Sequence, residues 1–251
     1  MKKSLLRISA VSYINAKPFV YGIENSGFLK EYSLSLDIPS ICAQKLKNNQ
    51  ADIGLAPVAV LSELKDYYII PDFCIGSNGP VRTVMLYSEV PLKKIKTIYL
   101  DYQSKTSSKL IQILAKHWWK ISPVFSQTEN GYENRIKGTS AGLIIGDRNF
   151  SLFGKFKYVY DLSEEWRLFT GLPFVFACWI ANKKLKESVA SNFYKALKYG
   201  IQNKNIVLKD LKEQYDEKVM KNYLNRYIKY NFDKDKHTAM KLFLGFGNTI
   251  V

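Results

Sequence analysis

The order of elements along this chain restricts its fold more than any single motif does. Short apolar runs alternate with helical patterns through most of the sequence, and then strands stop about 70 residues before the end while helices continue. Residues 5–10, 32–37 and 52–56 read as strands. Between them 18–28 and 39–49 read as helices with a proline in the first turn, and 57–64 as a third short helix. Residues 67–75 and 81–88, rich in β-branched and aromatic side chains, flank the turn-forming run Gly76-Ser77-Asn78-Gly79-Pro80. A second set follows, with strands over 97–100, 141–145 and 173–181 and helices over 106–119 and 163–169. Beyond it the pattern is helical over 185–203, 207–214, 217–227 and 234–245.

Such alternation is the signature of βαβ units and a largely parallel sheet, and helices without strands of their own must pack on a sheet already built. Placing the helical tail on the first set predicts an α/β protein of two lobes. One is discontinuous, residues 1–88 plus 177–251, and the other is inserted, residues 89–176. Two extended crossings join them, with a ligand cleft expected between the lobes.

A hydrophobic content of 47% is enough for a core in either lobe. No apolar run reaches the roughly 18–20 residues of a membrane span, so no membrane partner is expected. Residues 1–7 have the basic opening of a signal peptide, but Arg7 interrupts the apolar segment and no small-residue cleavage site follows, which predicts a cytoplasmic protein. The three cysteines, Cys42, Cys74 and Cys178, are odd in number and set among apolar neighbours, as reduced core cysteines are. Thirty-seven basic residues against 22 acidic ones give a net charge of +15. The lysines are scattered over amphipathic helical stretches with no dense block, so we expect a solvated basic surface and no nucleic-acid partner. A glycine loop of the GxxxxGK type, a nucleophile elbow and a metal-binding histidine pair are all missing, and no metal and no cofactor are expected. His117 and His237 lie in helical stretches away from strand ends and read as packing or surface residues.

Four segments could carry chemistry. The turn Val11-Ser12-Tyr13-Ile14-Asn15-Ala16-Lys17-Pro18 follows the first strand, where α/β folds place ligands; Asn15 either contacts a ligand or caps the helix begun at Pro18. Ser77, Asn78 and Gly79 form a turn between strands, open to close backbone approach by a ligand or simply a turn. Asp101-Tyr102-Gln103-Ser104-Lys105-Thr106-Ser107-Ser108 runs from a strand end into a hydroxyl-rich helix start, an anion cradle or an N-cap at Thr106. Gly146 and Asp147 follow another strand, with Asp147 free to act or to cap. All four fall after strands.

Together these segments resemble the chorismate dehydratases of the futalosine route to menaquinone over nearly the whole chain. Val11 to Pro18 carries the likeness, with Ala51-Asp52-Ile53-Gly54-Leu55-Ala56-Pro57-Val58, Gly79-Pro80-Val81-Arg82-Thr83-Val84 and Leu143-Ile144-Ile145-Gly146-Asp147. Asp161-Leu162-Ser163-Glu164-Glu165-Trp166, followed by Thr170-Gly171-Leu172-Pro173-Phe174-Val175-Phe176-Ala177, is the most specific part. The resemblance implies a type 2 periplasmic-binding-protein-like fold and removal of water from chorismate, giving 3-[(1-carboxyvinyl)oxy]benzoate, in a monomer or homodimer. It implies Asn15 as the catalytic contact. Ser77, Asn78, Gly79, Thr106, Ser107, Gly146 and Asp147 would bind the substrate. Arg82 either reaches a substrate carboxylate or pairs with an acidic residue. Alternatives are a non-catalytic solute-binding protein of the same fold and the related 1,4-dihydroxy-6-naphthoate synthase, which uses a different opening turn and a histidine base.

Overall fold

A computed structural model of the chain describes residues 5–64 and 66–246; residues 1–4, weighed above as part of a leader, lie outside them. The chain begins with β1 (Leu6–Val11), α1 (Lys17–Asn25), β2 (Tyr32–Asp37), α2 (Pro39–Lys47), β3 (Ile53–Pro57) and β4 (Tyr68–Ser77). It continues with β5 (Val84–Ser88), β6 (Thr97–Leu100), α3 (Lys105–Ile113), β7 (Val124–Gln127), β8 (Ser140–Ile145), β9 (Tyr158–Asp161) and α4 (Leu162–Thr170). Then come β10 (Phe174–Ala181), α5 (Glu187–Gln202), α6 (Lys204–Leu211), α7 (Glu217–Asn222), β11 (Lys229–Phe232) and α8 (Lys234–Gly245).

These elements form two compact units, residues 1–76 with 177–233, and residues 77–176 with 234–251. The first unit is built on a six-stranded sheet of order β11-β4-β10-β3-β1-β2. Its β3 is buried throughout, as expected of a strand whose residues are all apolar or glycine. β1 pairs in parallel with β2 and β3, whereas β10 runs antiparallel to β3 with Trp179 opposite Leu55. The second unit holds a five-stranded sheet of order β7-β6-β8-β5-β9, in which β6 is parallel to its neighbours and β5 antiparallel to both of its own. Both sheets are therefore mixed, where the sequence pattern predicts a largely parallel one. β10 and β5 join their sheets without a crossover helix, and only parallel pairing needs one.

The boundary differs from the expected one at two places. Residues 84–88, assigned above to the first lobe, form β5, whose backbone pairs with β8 and β9 of the second sheet. Residues 234–245, also assigned to the first lobe, form α8, and Phe243 packs edge-on to Phe174 at 5.2 Å and to Trp166 at 6.2 Å in the second unit. The tail also contains a strand, β11, which pairs with β4.

Two contacts fix the first unit. α1 and α5 meet through glycines: a Cβ at Gly200 would overlap the Pro18 carbonyl oxygen, and one at Gly22 would overlap the Ala196 carbonyl. Helices approach this closely only where side chains are absent. Substituting Gly200→Ala should cost 2 kcal/mol or more, at the upper end of the usual overpacking penalty of about 1–3 kcal/mol, read as a lower denaturant midpoint. At the other end of the strands, the buried Asp52 carboxylate accepts from Arg7 N (3.0 Å), Nε (3.1 Å) and Nη2 (3.1 Å) and from Lys183 Nζ (2.9 Å). Burial pushes this carboxyl up, but the Arg7 and Lys183 donors outweigh it and hold it well below the usual carboxylate range. A depressed folded pKa means stability present above the unfolded value of about 3.9 and lost as pH falls below it. Asp52→Asn should therefore lower stability by about 2 kcal/mol at pH 7, and chemical denaturation should find the gap from wild type closing below about pH 3.

Candidate active site

In the first unit the chain leaves β1 through Ser12, whose N–H donates to the Asp37 carbonyl at 2.9 Å, and enters a 3-10 turn over Ile14–Ala16. α1 then starts with Ala16 as N-cap and no side-chain cap hydrogen bond. Asn15 is thus not the cap of this helix. Its amide has no hydrogen-bond partner among the described residues, while its backbone carbonyl accepts from the Tyr230 hydroxyl at 3.0 Å. The start of α1 is also a poor anion cradle. Lys17 N–H is spent on the Ile14 carbonyl and Pro18 has none to give. The half-buried Asn15 amide is what this turn offers.

In the second unit, register brings four segments to one edge of the sheet. β6 and β8 are parallel, so 101–107 and 146–147 leave from the same edge. β5 runs the other way, with Val84 opposite Ile145, so the segment 77–83 enters there. β9 ends there too, with Asp161 opposite Met85. Ser77 is buried, and its Oγ lies 2.5 Å from Ser163 Oγ. Asn78 is exposed, and Gly79 has a φ of +100° with open space where a Cβ would stand. Thr106 and Ser107 are buried in the first turn of α3. The cap of that helix is Ser104, whose Oγ accepts from Ser107 N at 3.2 Å, and not Thr106. Gly146 is buried, adopts a φ of +69° and donates to the Thr83 carbonyl at 2.9 Å. Asp147 is half-buried at the start of a 3-10 turn that has no side-chain cap.

Two carboxylates lock this edge, and neither was singled out as a site residue from the sequence. Asp161 Oδ2 accepts from Val81 N (2.9 Å) and Arg82 N (2.7 Å), while its Oδ1 accepts from Ser163 N (3.0 Å) and Glu164 N (3.3 Å). One side chain thereby caps α4 and pins the 77–83 segment, where Arg82 takes a left-handed φ of +68°. Burial pushes the Asp161 carboxyl up to about 6, against the pull of those N–H groups. Asp161-Leu162-Ser163-Glu164 has the spacing of a capping box, a signal that marks the cap but not its second task. Asp101 accepts from Gln103 N (2.9 Å), Ile145 N (3.1 Å), the Tyr132 hydroxyl (2.9 Å) and the Arg148 guanidinium. Arg148 also meets Glu133 at 2.5 Å, so its charge is neutralised inside the brace between β6 and β8. Burial raises the Asp101 carboxyl despite Arg148.

Neither histidine lies on these segments: His117 packs 5.0 Å from the Phe246 ring, and His237 is in α8. Among the described residues no group of three His, Cys, Asp or Glu could hold a metal ion, and the three cysteines are buried and unpaired. Among them, too, no helix is long and apolar enough to cross a membrane.

Comparison with known proteins follows this geometry. A family described as menaquinone biosynthesis matches residues 6–249. A chorismate dehydratase from Thermus thermophilus is 26% identical over 188 residues, 66% of this chain, and the match spans just under two thirds, 66%, of that relative's length. Among solved structures, protein AF1704 from Archaeoglobus fulgidus superposes with a TM-score of 0.75 at 16% identity, covering 99% of this chain and 98% of that one. A Candida albicans gene product that exhibits the generic periplasmic binding protein structural fold gives 0.63 at 12% identity, with coverage of 99% and 92%. The aliphatic sulphonate binding protein SsuA from Escherichia coli gives 0.61 at 15%, covering 99% and 93%. The fold is therefore periplasmic-binding-protein-like, and with the match running from the first strand past the last helix, this chain belongs to the menaquinone biosynthesis family.

Proposed function

We propose that this protein is a chorismate dehydratase, a lyase that removes water from chorismate to give 3-[(1-carboxyvinyl)oxy]benzoate. The observation that carries the reading is the uncommitted Asn15 amide at the carboxyl end of β1: capping does not explain it, and the family match supplies a task for it. The identity to the Thermus thermophilus dehydratase supports the specific reaction.

In this reaction the ring loses its C4 hydroxyl and its C3 proton and becomes aromatic. The products are strongly favoured, so the enzyme contributes orientation and proton handling. An amide does not take up a proton near neutral pH, so Asn15 donates to the departing hydroxyl and does not act as base. The enolpyruvyl carboxylate of the substrate takes the C3 proton, and Asp147 ranks second as acceptor. The two carboxylates of chorismate suit neutral donors: Thr106 and Ser107 with the first turn of α3 hold one, and Ser77, Asn78 and the backbone at Gly79 hold the other. Gly146 leaves room for the ring beside its strand end.

Incubation with chorismate should yield an aromatic product followed by ultraviolet absorbance, and folded protein that binds chorismate without forming product would instead support a solute-binding role. Asn15→Ala should abolish turnover while chorismate affinity, measured by calorimetry, stays within about tenfold, as expected for a contact made mainly in the transition state. Asp147→Asn should keep kcat within about tenfold; loss by several orders of magnitude would transfer the role of base from substrate to protein.

A further inference from the structure

We infer that Tyr230 is the positioning residue for Asn15, an inference that rests on the dehydratase reading of that asparagine. The Asn15 carbonyl falls into a gap in the backbone's own bonding. Ala16 is the N-cap of α1, so the helix begins to accept hydrogen bonds at the Ala16 carbonyl, one residue after Asn15. Continuing the 3-10 pattern of Ile14–Ala16 would offer Asn15 the N–H of residue 18, which is proline and has none.

A side chain from the far edge of the sheet fills the gap. Tyr230 belongs to β11, separated from β1 by three strands, and its hydroxyl donates to the Asn15 carbonyl at 3.0 Å. The phenol is buried, 6% exposed, and its ring stands edge-on to Phe19 of α1 at 5.2 Å. The Lys204 ammonium lies 5.5 Å from the ring centroid and donates to the Leu224 carbonyl at 3.3 Å. Burial, with Tyr223 nearby, raises the Tyr230 pKa well above its ordinary value, so the hydroxyl keeps the proton it donates. A ring packed in this way cannot swing off its target. The peptide following Asn15 is therefore fixed, and with it the direction in which the Asn15 side chain leaves the backbone.

Tyr230→Phe deletes the hydroxyl and keeps the ring. We expect kcat for chorismate to fall roughly tenfold or more while KM stays within about threefold, since a small displacement of a transition-state contact costs rate and not ground-state binding. Tyr223→Phe, a buried neighbour of Tyr230, should keep kcat within about twofold, and circular dichroism should show both variants folded. Unchanged kcat in Tyr230→Phe overturns the inference, as does a rise in KM alone, an equal loss in Tyr223→Phe, or a Tyr230→Phe variant that does not fold. Absence of turnover by the wild-type protein removes the dehydratase reading and this inference with it, whereas wild-type turnover with an unaffected Tyr230→Phe removes the inference only.

Discussion

Helix α1 can begin where it does because α5 carries no side chain at Gly200. The Pro18 carbonyl occupies the space that a Cβ there would need, and Gly22 grants the same clearance on the other helix. This contact settles where the first turn of α1 lies against the sheet, so the connection from Val11 has a fixed target and few residues in which to reach it. The chain answers with a 3-10 turn, and Ser12 is tied to the Asp37 carbonyl. Asp37 is in turn held by Lys45 at 2.6 Å and by Ser9 and Ser35, each at 2.8 Å. Asn15 thus sits on a backbone constrained from both sides, which is the condition for a neutral amide to stabilise a transition state more than a ground state.

The second unit reaches the same end by a different route. There the constraint is electrostatic: buried carboxylates, Asp161 and Asp101, accept backbone N–H groups from segments that would otherwise be free loops. Each organises chain around a negative charge that costs free energy to bury and is offset by several donors at once. The hydroxyls left beside them, Thr106 and Ser107 on α3 and Ser77 against Ser163, are short and neutral. The net positive charge of the chain is spread over its surface and supplies little of this chemistry. Arg148, a cation at the braced edge, is consumed by Asp101 and Glu133.

What could be read from the sequence was what local pattern determines. Apolar runs marked β1, β3 and β10, and prolines marked the starts of α1 and α2. The three strands that escaped, β7, β9 and β11, are four residues long and lie at sheet edges, where one side faces away from the sheet and apolar patterning weakens. β5 was recognised as a strand but given to the wrong unit, because its apolar face is equally suited to either sheet and only its partners β8 and β9 decide. α8 was misassigned for the same reason. At the site, segments at strand ends were legible and the groups that hold them were not. Asp161 bonds Val81 across 80 residues, and Tyr230 bonds Asn15 across 215. Contacts at such separations leave no local signature.

The placement of α8 has a consequence for how this protein comes into being. The second unit occupies the middle of the sequence, yet its aromatic core of Trp166 and Phe174 waits for Phe243, which the ribosome adds after every residue of the first unit. The first unit, for its part, cannot close its sheet until β10 and β11 have been made. Neither unit can be finished ahead of the other, and both carry uncovered apolar surface for most of translation. Maturation is therefore a late event that the two units share, a departure from the one-domain-at-a-time order in which chains of this size usually fold.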